Sequence, residues 1–99
     1  MERPQFDIVA SGRRMREIRK ARSISVRQVM EYMGFESTQS VYKWEAGKCY
    51  PQADNLLALA KLYCVSPMEL LVEEDSLSSS FFLYISTYIF AAYSNLRYL

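Results

Sequence analysis

Thr38, Gln39, Ser40 and Lys43 lie within six positions of one another, and their side chains suit exchange of hydrogen bonds with polar edges and anions. A glutamine amide presents a donor beside an acceptor and so can pair bidentately with adenine. Serine and threonine hydroxyls donate or accept, and a methyl can meet thymine. Lys43, and Lys48 just beyond it, add cations of the kind that neutralise phosphate. The same set also reads as the solvated face of an ordinary helical hairpin. Residue types alone leave both readings open.

Two short helices joined by a turn must carry these residues. Val26, Val29, Met30 and Met33 recur at helical spacing. Ser25 with Gln28 three positions on predicts a capping box at the start of that helix. Gly34 follows the last apolar residue, where a helix turns left-handed and stops. Glu36, Ser37 and Thr38 offer a fresh N-cap, and a second helix over 38–46 has an apolar side of Val41, Trp44 and, if it turns inward, Tyr42. Gly47 ends it. Helices this short, with a turn this tight, cross steeply and leave the second with one polar face and an exposed N-terminus whose N–H groups favour an anion. The phase of Trp44 with Val41 makes it a core anchor.

Ninety-nine residues, about half of them apolar, are enough for one folded domain with a modest core. The absence of histidine excludes histidine metal sites and histidine-based catalysis. Cys49 and Cys64 lack metal-ligand spacing, so no metal or other cofactor is expected. They read as two buried or half-buried thiols, with a disulfide between them left open. No nucleophile–base spacing and no phosphate-cradling glycine loop is present, so an enzyme is not expected. A charged rather than apolar opening gives no secretory signal, which points to the cytoplasm. Net charge is only +1, but it is unevenly spread. Residues 1–48 hold ten Lys or Arg against six Asp or Glu, net +4, and residues 49–99 hold two against five, net −3. Such polarity suits a chain that faces phosphate with one half.

A first helix is expected from Phe6 or Asp7 to Ala21, with Val9, Met15 and Ile18 inward and Arg13, Arg14 and Arg16 outward. Asp7 suits its N-terminus, and Arg19, Lys20 and Arg22 suit its C-terminus. Pro51, Asp54 and Asn55 open a further helix to about Tyr63, whose apolar set is Leu56, Leu57, Leu59, Ala60 and Leu62. Ser66 and Pro67 signal another start, and a fifth helix is expected over 68–72. Residues 76–80 read as a polar hinge. Beyond it, Phe82, Ile85, Ile89, Ala92, Leu96 and Leu99 recur at alternating spacings of three and four, the stripe of a helix–helix seam. Dimerisation or self-packing through this helix is the leading reading, with membrane association and a pocket lid as rivals. The apolar run is short of a span and is broken by Ser86 and Thr87.

From Arg13 to Leu71 the chain resembles the phage repressor and Cro family of helix-turn-helix regulators, the xenobiotic-response-element family. The landmarks are MREIRKARSIS at 15–25, MG at 33–34, STQSVYKWEAGKCYP at 37–51 and NLLALAKLYCVSPMELL at 55–71. The resemblance implies an all-α, five-helix, repressor-like DNA-binding domain, expected over residues 1–75; the extra C-terminal helix over 76–99, read as the dimer element from its apolar stripe, lies outside the resemblance. The resemblance implies a transcriptional regulator that binds double-stranded DNA as a homodimer. Ser25, Ser37, Thr38, Gln39, Ser40, Tyr42, Lys43 and Lys48 are then the DNA-binding set, and at least one of Arg13, Arg14 and Lys20 is expected near the backbone. It also implies an ion pair between Arg19 and Glu45.

Three features depart from the family pattern. The turn at 34–36 is one residue longer than its shortest version, Cys64 stands where the family usually has glycine, and Val26 stands where many relatives place a phosphate-binding glutamine. The alternative function is a protein-interaction module, such as an antitoxin-like partner, that uses the C-terminal helix.

Overall fold

The computed structural model describes residues 1–74. The hinge at 76–80, the domain division at 75/76 and the C-terminal stripe of Phe82, Ile85, Ile89, Ala92 and Leu96 lie outside these residues. Phe6–Val72 forms one compact unit, and among the described residues Met1–Gln5 groups with Glu73 and Glu74 in another. Within the latter, the Glu74 N–H donates to the Gln5 carbonyl at 2.6 Å.

Local chemistry sets most helix ends. α1 spans Ile8–Ala21 and starts where Asp7 Oδ1 accepts the Ala10 N–H at 3.0 Å. α2, Val26–Met33, opens on a reciprocal box in which Ser25 Oγ accepts from the Gln28 N–H while Gln28 Oε1 accepts from the Ser25 N–H. It closes on Gly34 in the left-handed region. α3 is Gln39–Glu45 and α4 is Ala53–Tyr63. Cys64 caps α4 at φ 57°, so a side chain occupies a conformation that usually favours glycine.

The described residues are mostly helical, with a small two-stranded sheet of β1, Phe6–Asp7, and β2, Val72–Glu73. The helix expected over 68–72 is instead a 3-10 turn, Pro67–Glu69, boxed by Ser66 and Glu69 and followed by β2. A reason lies in Val72, whose N–H donates at 2.8 Å to the fully buried hydroxyl of Ser11 on α1 rather than to a carbonyl one turn back.

The core gathers Met15, Val26, Val29, Val41, Trp44, Leu59, Ala60, Tyr63 and Leu70, with Ile18, Phe35 and Leu62 among those packed against it. Burial pushes the phenol of Tyr63 far above its ordinary range, so that side chain is neutral wherever the protein is folded under ordinary conditions. Four expected burials differ. Val9 is 53% exposed and Leu57 is 58% exposed, because α1 and α4 each bury a narrower face than their apolar content suggests. Cys49 and Cys64 are free thiols and exposed rather than buried.

α1 is the hub. Ser11, Arg14 and Arg22 each bind backbone in the second half of the unit: the N–H of Val72, the carbonyl of Glu69 and the carbonyl of Tyr63. Arg14 is therefore engaged within the fold, against the expectation that it faces outward. On its other side α1 meets the end of α3 backbone to backbone. A Cβ on Gly12 would lie 2.5 Å from the Trp44 carbonyl oxygen and 2.8 Å from that of Glu45. A Cβ on Gly47, itself at φ 72°, would lie 2.8 Å from Val9 Cα.

Helix propensity alone favours alanine over glycine in α1 by about 1 kcal/mol. The contact must outweigh it, since backbone carbonyls cannot swing aside. Gly12→Ala is therefore expected to destabilise the protein by about 1–3 kcal/mol in urea unfolding, and an unchanged or raised midpoint would contradict this packing.

Candidate nucleic-acid interface

α2 and α3 are the two helices of the turn motif, and the polar residues of α3 divide into two rows. Thr38 and Tyr42, one turn apart, line an open cleft of about 630 Å³ together with Arg16 and Arg19 of α1 and Ser25, Val26 and Arg27 at the start of α2. Gln39 and Lys43, also one turn apart, are exposed and do not line the cleft, and Ser40 is exposed beside them. Tyr42 is 57% exposed, so it belongs to the outer surface and not to the core side with Val41 and Trp44.

Local hydrogen bonds decide which groups stay free. Thr38 makes no side-chain cap bond, and Ser37 Oγ accepts the Gln39 N–H at 3.4 Å instead. Ser25 Oγ accepts within its box, which leaves its own hydroxyl proton to donate outward. Lys48 is exposed, and its N–H caps the Lys43 carbonyl at 3.0 Å, which fixes the backbone just past α3. Val26 is buried, so at that helix start polar contact falls to Ser25 and Arg27. Among the described residues Arg27 is held only by an exposed pair with Glu31 at 3.5 Å, of the sort that contributes little.

Arg16 and Arg27 were not legible as site residues, because each looks like one more basic residue on a solvated helix. Only the packing of α1 and α2 against α3 brings them to one cleft. Phe35, in the lengthened turn, is likewise silent in the pattern. Its ring meets Trp44 edge-on at 5.7 Å, so the extra residue supplies an anchor that ties the turn to α3.

The far end of α3 is held by charge. Arg19 Nε and Nη2 donate to the two carboxylate oxygens of Glu45 at 2.7 and 3.0 Å, and Nη1 donates to the Ile24 carbonyl at 2.9 Å. The side chains are 10% and 7% exposed, so the fork is nearly sealed from water. The Glu45 hydrogen bonds raise the guanidinium's pKa further despite burial, and Arg19 remains charged throughout. Removing one partner strands the other charge, whereas removing both does not. Arg19→Met alone is expected to cost about 3–5 kcal/mol, with Arg19→Met/Glu45→Leu recovering most of that loss. Additive losses in denaturant titrations of the single and double variants would contradict the pairing.

The comparisons with known proteins agree with this geometry. Residues 11–71 match the helix-turn-helix domain family model. The restriction-modification controller protein C.AhdI from Aeromonas hydrophila is 31% identical, covers 65% of this chain and 96% of its own, and superposes with a TM-score of 0.59. The DNA-binding domain of BldD is 28% identical, covers 65% of this chain and 92% of its own, with a TM-score of 0.55. A transcriptional regulator from Listeria innocua, 19% identical over 93% of this chain and 90% of its own, shares the fold with a TM-score of 0.56. No curated protein matches the sequence significantly. With the matched span covering both helices of the motif and α1 and α4 around them, the chain belongs to the helix-turn-helix domain family, in its phage repressor and Cro-type branch.

Proposed function

We propose that the protein is a sequence-specific DNA-binding transcriptional regulator, acting as a repressor, that reads the major groove with α3. The observation that carries this reading is the exposed Gln39–Lys43 row on a short helix whose far end is locked by Arg19 and Glu45. A polar row on a mobile helix would read nothing, while one on a clamped helix meets base edges in one register. The family supports the reading, as do a restriction-modification controller and a DNA-binding domain among similar structures.

Gln39 and Thr38 contact base edges, with Ser40 and Tyr42 beside them. Lys43 and Lys48 neutralise phosphates, and Ser25 and Ser37 donate from the ends of α2 and α3. The partner is double-stranded DNA and the compartment the cytoplasm. Among the described residues no helix is long and apolar enough to cross a membrane. The protein acts as a homodimer through the stripe of Phe82, Ile85, Ile89, Ala92 and Leu96, a domain of residues 1–75 carrying the DNA contacts. Two copies of α3 then enter successive major grooves about 34 Å apart.

Base and phosphate contacts separate in competition binding. Gln39→Ala is expected to relax preference at one base pair by about 1–3 kcal/mol while leaving the others in place. Lys48→Ala is expected to weaken every sequence alike and lower the salt dependence by about one phosphate contact. Unaltered preference in Gln39→Ala would place α3 in a different register on DNA.

A further inference from the structure

One face of α4 plays no part in the core or in the candidate interface. Leu57 stands 58% exposed on it, although the same helix buries Leu59 to 1%. Ala53, Asp54, Lys61 and Cys64 are exposed too, and helical spacing sets all four on the same stripe as Leu57. Asp54 precedes Leu57 by three positions and Lys61 follows it by four, so an apolar centre lies between opposite charges at nearly equal distances. The helix dipole accounts for an acid in the first turn and a base in the last, but not for a large apolar residue left in water between them. Neither Asp54 nor Lys61 has an ion-pair partner among the described residues.

Such a face is complementary to itself in one orientation only. A two-fold axis through Leu57 lays two copies of α4 antiparallel. Leu57 then meets its counterpart, Asp54 faces the partner subunit's Lys61, and Lys61 faces the partner subunit's Asp54. A parallel arrangement would instead set acid on acid and base on base. We propose that this α4 face is a contact between two copies of the chain, packed antiparallel around Leu57.

An 11-residue helix is about 16 Å long and covers much less than the roughly 800 Å² per partner of a standard interface. The contact is therefore an auxiliary one that sets the orientation of two copies held together by something else, the C-terminal segment or a shared DNA duplex. It rests on the dimeric reading above but not on which segment supplies the main dimer interface.

Charge exchange in the full-length chain tests it. Asp54→Lys and Lys61→Glu each turn both symmetry-related pairs repulsive, and each is expected to weaken dimerisation and cooperative DNA binding about tenfold. Mixed together, the two variants restore both attractive pairs only between unlike chains. Native mass spectrometry of the mixture should then show heterodimers in excess of the statistical one-to-two-to-one distribution. A statistical mixture, or a deficit of heterodimers, would overturn the proposal, and so would a double variant Asp54→Lys/Lys61→Glu no better than either single. Covering of this face by the chain's own C-terminal segment or by another protein would give that statistical mixture. Binding to an isolated half-site separates the two readings, since it should survive in every variant. Its absence in the parent protein would sink the DNA-binding proposal, whatever the mixture shows.

Discussion

The structure depends on how closely α1 approaches the end of α3. Gly12 brings the α1 backbone within touching distance of the Trp44 and Glu45 carbonyls, and Gly47 lets the chain leave α3 against Val9. That approach brings the Arg19 guanidinium to the Glu45 carboxylate and seals the pair from water. A sealed charge pair is weak evidence for net stability, because desolvation offsets much of its attraction. Its larger effect is on geometry: the fork accepts one arrangement of α1 and α3, and a sliding helix would leave two charges buried and unmatched. The orientation of the polar rows on α3 follows from that constraint.

From the other side of α1 the same helix grips the second half of the compact unit through backbone groups. Ser11, Arg14 and Arg22 reach Val72, Glu69 and Tyr63. A single element thus fixes α3 on one flank and the chain after α4 on the other. Phe35 adds a third restraint by wedging the longer turn against Trp44. With its far end and its buried face held, α3 keeps Gln39, Ser40 and Lys43 exposed without help from the surface residues themselves.

Much of this was legible in the sequence where the signal is local. The box of Ser25 and Gln28, the stop at Gly34, and the start at Ser66 and Pro67 are each decided by atoms within a few residues, and the structure has them where the pattern sets them. Long-range effects were not legible. No periodicity reveals that Gly12 must be small, because the reason is a carbonyl more than thirty residues away. Ser11 looked like any helical serine, yet its hydroxyl takes the N–H that a fifth helix would have used internally, and the chain turns into a strand there. Val9 and Leu57 read as inward because they are apolar, and both face out, as do the two thiols expected to be buried or half-buried. Arg16 and Arg27 come to one cleft only through the packing of α1 and α2 against α3. The family resemblance carried the Arg19–Glu45 contact; charge pattern alone offered Arg19 several acids.

If the protein acts as proposed, a clamped α3 reads base sequence. Selection of random duplex DNA by the full-length protein, followed by sequencing of the bound fraction, tests it most directly. A regulator of this kind enriches a two-fold symmetric site whose half-sites lie about one helical turn apart, or a multiple of that. A bound pool with no enriched sequence, its affinity set by salt alone, would contradict the proposed reading.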